Sequence, residues 1–283
     1  MDTMDRFTFL DTNTGEKNHS LDTLFPGWNG HDERVMVYCG HDDDAILGAS
    51  YVIQACIEDG AEVFVTIACS GHCGYSTPEE KDTIVDKRRA EAYEGYRLLG
   101  VPQDHILRLE LPDFSAQSYV GLLIDENHRE GHFRKTITNL RENKITRIMT
   151  TNPYHEHVDH TAAYIMGAYD APQAGDAHSV DWAEPYPVKS VAMFSCWAEF
   201  DPEDAMVSGR KTEVRANVAV AVTEDVEAKT MESISAFSSQ KAIIEDLCRQ
   251  RAGRKLADGR FLECYIKYDP RPKFNYEPYK AMF

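Results

Sequence analysis

Runs of apolar residues alternate with amphipathic stretches along most of this 283-residue chain. A short apolar run is typical of a buried strand, whereas apolar residues that recur every three or four positions indicate a helix. The pattern predicts strands at residues 34–39, 62–69, 106–111, 145–151, 188–195, 217–222 and 261–268. It predicts helices at residues 45–59, 77–99, 132–143 and about 158–169, and one that begins after Thr223.

Residues that commonly begin and end helices lie at the limits of these stretches. Gly60 and Gly100 follow the first two helical stretches, and glycine readily adopts the left-handed conformation that ends a helix. The sequence Thr77-Pro78-Glu79-Glu80 has the form of a capping box with proline at the first helical position, and it predicts a helix start. Thr223 precedes two acidic residues, which favours an N-cap there.

The alternation of strands and helices predicts an α/β fold with a mostly parallel sheet and helices on both faces. Near-continuous apolar strands are what a sheet covered on both faces requires. We therefore expect a single Rossmann-like domain over residues 33–283. Residues 1–32 are polar with scattered aromatics, and we expect them to form an N-terminal arm packed on that domain.

Composition narrows the classes of partner. A net charge of −17 argues against nucleic acid, whose phosphates need a basic patch; the charge itself indicates solubility or a salty environment. No apolar stretch approaches the length of a membrane span, and the first ten residues do not resemble a signal peptide. The seven cysteines are an odd number and most lie in apolar runs. This predicts buried thiols in a reducing, cytoplasmic compartment.

Two polar clusters follow predicted strands. His41-Asp42-Asp43-Asp44 follows the first strand, and "NPYHEHVDH", residues 152–160, follows the fourth. Adjacent aspartates repel each other, so a cation would stabilise them. Ligands of open α/β sheets bind outside the carboxyl ends of the strands, where these clusters would meet. Either cluster alone could be an ordinary acidic turn or helix entry; together they indicate a site.

The residue types in the two clusters are those of a catalytic metal site. One histidine and one aspartate from the first cluster, with one histidine from the second, give the three protein ligands of an open zinc site. A carboxylate not bound to the metal could take the proton of the bound water. A second histidine could stabilise the oxyanion of a tetrahedral intermediate. These parts predict metal-assisted hydrolysis of an amide or ester.

The same residues resemble those of a known family. "YCGHDDDAILGAS" is similar to the His-Pro-Asp-Asp-Glu signature of the PIG-L/LmbE family of zinc-dependent N-deacetylases, and "HVDHTAA" is similar to its second signature, His-Pro-Asp-His. Supporting similarity is found in Arg88-Arg89-Ala90-Glu91 followed by "LLGV", and in "LPD" ending at Asp113. The resemblance spans about residues 33 to 268.

The resemblance implies a role for each residue of the two signatures. His41, Asp44 and His160 would bind one zinc ion per chain. Asp43 would be the general base that activates the zinc-bound water and then protonates the leaving amine. His157 would steady the intermediate, and Asp159 would orient one of the histidines.

It also implies substrate contacts, each with a structural alternative. Arg88 and Asp113 would contact the hydroxyls or carbonyl of the substrate. Alternatively, Arg88 pairs with Glu91 on its helix, and Asp113 is a turn residue. Tyr154, offset by one residue from the family's tyrosine, would contact the substrate carbonyl or else pack on the domain as a loop aromatic.

Three departures from the family pattern change the expectations. Asp42 and Ala45 replace the proline and glutamate of the first signature, and we expect Asp42 to point to solvent. "CSGHC" places His72 where the family has a glutamate that holds the sugar. His72 would therefore favour an anionic N-acyl substrate, unless it points to solvent. Cys69 and Cys73, with no partner pair, are interpreted as ordinary thiols.

The sequence thus predicts a zinc-dependent hydrolase that removes an N-acyl group, most often acetyl, from an amino-sugar or related small polar amide. Alternatives are an amidase acting on a larger thiol- or antibiotic-type conjugate, and a binding homologue without turnover, which would have no use for Asp43. A nucleotide-binding protein is disfavoured because no Gly-x-Gly-x-x-Gly turn follows the first strand. By resemblance, we expect a homo-oligomer.

Overall fold

The computed structural model describes residues 3–200 and 214–283. Its strands are β1 (Phe7–Asp11), β2 (Lys17–Asn18), β3 (Arg34–Cys39), β4 (Glu62–Cys69), β5 (Ile106–Leu111), β6 (Arg147–Thr151), β7 (Ser190–Phe194), β8 (Val218–Val222) and β9 (Phe261–Tyr268). Its α-helices are α1 (Asp44–Glu58), α2 (Ile84–Leu99), α3 (Phe133–Glu142), α4 (Val158–Tyr164), α5 (Glu224–Ser235), α6 (Lys241–Arg251) and α7 (Glu277–Lys280).

The strands form one mixed sheet in the order β2-β1-β8-β9-β7-β6-β3-β4-β5. Pairing is parallel from β7 through β6, β3 and β4 to β5, and antiparallel in the half that contains β1, β2, β8 and β9. The expectation of a mostly parallel sheet therefore holds for one half only. Apolar runs predict that strands are buried on both faces, but strand direction depends on the connections between them.

Part of the predicted N-terminal arm is a strand of this sheet. Strand β1 pairs antiparallel with β8, and Phe7 and Phe9 are fully buried against the core. The two-residue period of these side chains is that of a strand. The division of the chain at residue 32 stays a prediction.

Two helix limits differ from those predicted. Thr77 makes no capping bond, and Pro78–Glu80 forms a separate 3₁₀ turn, so α2 begins only at Ile84. It ends at Gly100, whose φ is +100°, as predicted. The helix predicted over residues 158–169 is α-helical to Tyr164 and continues as a π-helix over Ile165–Asp170.

The sheet brings the ends of β3 and β6 together. The two strands are parallel neighbours, with Met36 opposite Ile148 and Tyr38 opposite Thr150. The strand order reverses here, because β3 leads to β4 on one side and β6 leads to β7 on the other. Such a reversal opens a crevice at the carboxyl ends of the strands. The loop after each strand enters this crevice.

A buried ion pair fixes the opposite end of β6. Arg147 and Glu33 have no exposed side-chain surface, and Arg147 donates to both oxygens of Glu33 at 3.0 and 2.8 Å. Arg147 also donates to the backbone carbonyls of Pro26 and Gly27. The pair therefore ties the segment before β3 to β6.

Among the described helices, none is long and apolar enough to cross a membrane.

Candidate active site

The three predicted metal ligands converge at the sheet edge. His41 follows β3, Asp44 is the first residue of α1, and His160 lies in the first turn of α4. Each offers one donor atom, and the three atoms lie within 4.8 Å of one another. Oδ2 of Asp44 is 3.1 Å from Nε2 of His160 and 3.6 Å from Nδ1 of His41. All three side chains are buried or nearly so.

The surroundings of His160 fit a metal-binding histidine. Its Nδ1 is 2.8 Å from Oε2 of the buried Glu156, which fixes the orientation of the ring. Its Nε2 is buried without a hydrogen-bond partner and faces Asp44. Two imidazole nitrogens and one carboxylate oxygen are donors that zinc accepts, with a position left for water. The residues present therefore fit zinc.

The remaining acidic and basic groups surround these donors. Asp159 is fully buried and accepts the backbone N–H of Phe114 at 2.6 Å and of Ala116 at 3.2 Å. Its Oδ2 is 3.3 Å from Nε2 of His41 and 3.4 Å from Nδ1 of His157. Asp159 thus contacts both histidines, and the orienting role that the resemblance implies stays a prediction.

The carboxylates control the ionisation of the histidines. Although burial opposes it, hydrogen bonds to Asp159 and Asp44 raise the pKa of His41 to about 10. Burial likewise opposes ionisation of His160, yet Asp44 raises its pKa to about 9. The pKa of His157 is lowered, by burial and then by the neighbouring His41. The raised pKa values of His41 and His160 favour their charged forms, whereas the lowered pKa of His157 favours its neutral form.

The expectation that Asp42 points to solvent is wrong. Asp42 is fully buried, accepts from Nε of Arg88 at 3.0 Å and also pairs with Arg108. Two guanidinium groups thus compensate the added aspartate. Arg88 also donates to Oδ1 of Asp43 at 3.2 Å and does not pair with Glu91. Arg88 is buried between Asp42 and Asp43, so it fixes the position of Asp43, the predicted base.

A cavity of about 270 Å³ opens onto the converging side chains. His41, Asp43, Asp44 and His157 line its inner wall. Arg88 and Asp113 also line it. The other side chains that line it are Leu47, Cys73, Phe114, Trp197, Gln240, Ile243 and Leu247, with Gly74.

Two predicted substrate contacts lie outside this lining. Tyr154 packs with Tyr164 and Ile266 against a separate apolar cluster, which is the loop-aromatic alternative. His72 is 45% exposed and lies 3.1 Å from Ser70 and 3.2 Å from Cys73. Asp113 lines the cavity, but its two oxygens accept the N–H groups of Gly71 and Cys73, each at 2.8 Å.

Sequence reasoning missed two residues of the site. Glu156 stands within the second cluster, four residues before His160 and just ahead of α4, and that spacing is the signal that could have revealed it. Oε1 of Glu156 accepts the N–H groups of Cys196, Trp197 and Ala198. This contact places the Trp197 ring 4.9 Å from the His160 ring. No sequence signal connects residue 197 with the clusters.

Residues 36–168 match the family model described as PIG-L, GlcNAc-PI de-N-acetylase, which spans both clusters. No curated protein matches the chain in sequence.

Several solved structures share the fold. N,N'-diacetylchitobiose deacetylase from Pyrococcus horikoshii is 18% identical, with 84% of each chain covered and a TM-score of 0.64. The 4-carboxy-2-hydroxymuconate hydratase GalB from Pseudomonas putida KT2440 is 17% identical, with 86% of this chain and 99% of that chain covered and a TM-score of 0.62. The zinc inhibited form of teicoplanin deacetylase Orf2 is 17% identical, with 83% and 99% covered and a TM-score of 0.52. At these identities the similarity establishes the fold alone.

Proposed function

We propose that this chain, which carries a PIG-L family domain over residues 36–168, is a zinc-dependent hydrolase that removes an N-acyl group from an amino-sugar or related small polar amide. We propose acetyl as the acyl group and one zinc ion per chain. The observation that carries the proposal is the convergence of His41, Asp44 and His160 beside the cavity that Asp43 and His157 line.

Zinc, when bound by these three residues, would supply the Lewis acid that polarises the scissile carbonyl and activates water. Asp43 is held by Arg88 with its carboxylate at the cavity, where it can take a proton from the attacking water. The same carboxyl group then delivers this proton to the leaving amine. Asp43 is 14% exposed, so it is accessible to water and substrate.

His157 is suited to stabilise the negative charge that develops on the carbonyl oxygen. Its Nδ1 accepts the backbone N–H of Asp159 at 3.2 Å, so the neutral ring carries its proton on Nε2. A neutral ring with an N–H group can donate a hydrogen bond to an oxyanion. We therefore assign His157 as a hydrogen-bond donor and Asp159 as the residue that positions it.

Exposed apolar side chains form the rim of the cavity, and they indicate which class of substrate it could bind. Phe114, Trp197 and Ile243 line it and are 63%, 43% and 60% exposed. Large apolar side chains left exposed at a cavity commonly bind an apolar face of a ligand. His72 lies outside the lining, and the charge of Arg88 is compensated by Asp42 and Asp43. We therefore favour a neutral N-acyl substrate whose sugar ring or apolar group stacks on this rim over the anionic substrate expected from His72.

A hydratase is the second candidate. The fold is shared with a 4-carboxy-2-hydroxymuconate hydratase, and a metal centre with an aspartate base can also add water to a conjugated acid. The larger thiol- or antibiotic-type conjugate remains an alternative substrate for hydrolysis.

The strand order β5-β4-β3-β6-β7 supports a Rossmann-like parallel half. A cytoplasmic location and a homo-oligomeric state are proposed on composition and on the family resemblance.

The function is tested by screening the zinc-loaded protein for amine release from N-acetylated sugars, N-acyl conjugates and aryl amides. A parallel assay follows the ultraviolet absorbance of an unsaturated hydroxy-acid. We expect amine release that is abolished by chelation and restored by zinc. Loss of the conjugated absorbance without amine release would favour the hydratase, and activity in neither assay would favour a binding protein.

A further inference from the structure

A second group of metal-binding side chains lies beside the proposed zinc centre. His72, Cys73 and Asp113 each offer one donor atom, and the three atoms lie within 4.8 Å of one another. Nε2 of His72 is 3.2 Å from Sγ of Cys73, and Nδ1 of His72 is 3.6 Å from Oδ1 of Asp113. None of the three is among the proposed ligands of the first centre. We propose that they form a second binding site for a divalent, thiol-preferring metal ion such as zinc.

The donor set suits such an ion. Zinc binds thiolate, imidazole and carboxylate together, and at tetrahedral bond lengths two of these donors lie about 3.5 Å apart. With one nitrogen of His72 as the donor, the three donor atoms lie within 4.8 Å of one another, so they must move closer together around an ion. The two nitrogens of His72 face different partners, so binding requires a rotation of its ring. The His72 ring is 45% exposed, and its rotation exchanges the contacts of Nδ1 with Ser70 and with the backbone N–H of Asp113 for the metal.

The backbone organises the three donors in advance. Each carboxylate oxygen of Asp113 accepts one backbone N–H, from Gly71 and from Cys73 at 2.8 Å, and keeps a lone pair for a metal. The loop that carries His72 is therefore tied to the third donor. Gly71 has a φ of +78°, and a Cβ there would lie 2.8 Å from Nε of Arg88. This left-handed residue lets the loop approach Arg88 closely.

The position of the site gives it a consequence for the cavity. Cys73 and Asp113 line the same cavity as His41 and Asp43, whereas His72 stands outside it. A cation held there would add positive charge to the cavity wall and change the width of its entrance. Cys69, the other cysteine of this segment, is buried and not part of the group. The inference concerns residues outside the proposed reaction and does not rest on it.

The test counts bound zinc and measures the reactivity of Cys73. Full-length protein is equilibrated with a chelating buffer that keeps free zinc low, which suppresses adventitious binding to an acidic surface. We expect two zinc ions per wild-type chain and one in Cys73→Ser and in His72→Ala. Zinc should slow alkylation of Cys73 by iodoacetamide about tenfold or more, because a metal-bound thiolate is blocked. The exposed Cys264 is the matched control, and its alkylation rate should not change.

The variant His160→Ala separates the two centres. It should lose one ion and still show zinc protection of Cys73. The inference is overturned if Cys73→Ser keeps both ions, or if Cys73 of the wild type reacts equally fast with and without zinc. A third outcome is that the wild type binds one ion, His160→Ala binds none, and zinc does not protect Cys73. This result would refute the second site and leave the proposed function standing.

Discussion

Nδ1 of His160 lies 2.8 Å from Oε2 of Glu156, and the other oxygen of Glu156 accepts four hydrogen bonds from the segment 195–198. One buried carboxylate therefore joins a proposed metal ligand to the segment that carries Trp197. A carboxylate behind a metal-binding histidine fixes the tautomer and makes the ring a better ligand. The geometry of the proposed first centre thus depends on Glu156, which is not among its proposed ligands.

We expect Glu156→Gln to weaken zinc binding by about 10- to 100-fold, because the amide cannot support the imidazole as the carboxylate does. Zinc affinity is measured by competition with a chromophoric chelator. The size-matched amide should leave the fold intact, as checked by circular dichroism. Unchanged affinity would show that Glu156 only holds the 195–198 segment.

Asp43→Asn should keep zinc and lose amide hydrolysis by about a hundredfold or more, because a general base is removed while the metal donors remain. The comparison is of kcat at equal metal content, determined by elemental analysis. Turnover at the wild-type rate would contradict the assignment and would make His157 the next candidate for the base.

Asp42→Asn should lower the free energy of unfolding by about 3 kcal/mol, because it removes the buried carboxylate charge that Arg88 and Arg108 share and leaves Arg88 with Asp43 alone. Chemical denaturation measures this change. The control is Asp86→Asn, which removes an exposed ion pair with Arg89 and should cost under about 1 kcal/mol. Equal effects of the two variants would refute the role of Asp42 as the buried counter-ion.

Stability should fall in acid through Glu33. Burial opposes its ionisation, but hydrogen bonds from Arg147, Thr146 and Lys189 lower the pKa of Glu33 from 4.5 to about 2. A depressed carboxyl pKa contributes stability above the unfolded-state value, and this contribution is lost as pH falls from about 4.5 towards 2. Thermal melting across this range measures it. Glu33→Gln should be less stable at neutral pH and show a weaker dependence on pH in this window.

Phe114→Ala should raise KM about tenfold with little change in kcat, because the exposed ring contributes substrate stacking rather than chemistry. Phe114 is also 4.6 Å from the ring of His157, so a fall in kcat alone would indicate that it positions His157 instead. Phe274→Ala, equally exposed but outside the cavity, is the control and should change neither constant.

Local patterns predicted much of the fold. Strands at Arg34–Cys39, Glu62–Cys69, Ile106–Leu111 and Phe261–Tyr268 have the predicted limits, because each is a short apolar run between turn residues. Strand β1 was missed because its burial alternates over only five residues. The antiparallel half of the sheet was missed because apolar runs carry no information on strand direction.

The candidate metal donors were accessible to sequence reasoning because each stands within a short distance of a strand end. Asp42 was misjudged because its partner Arg108 is on β5, remote in sequence. Cys73 was interpreted as an ordinary thiol for the same reason, since Asp113 arrives from the end of the neighbouring strand. Contacts made across the sheet, between segments far apart in the chain, are what a local pattern cannot supply.

The pairing of β3 with β6 has a consequence for the order in which the molecule assembles. His41 and Asp44 are linked locally, because Oδ2 of Asp44 accepts the backbone N–H of His41 at 2.7 Å. His160 follows β6 in the chain, so it reaches them only when β6 pairs with β3. A slip of one residue between β3 and β6 would move His160 by about 3.3 Å along the strand axis, more than the length of a zinc–nitrogen bond. The rate of high-affinity zinc uptake during refolding should therefore measure how fast β3 and β6 pair in their native register.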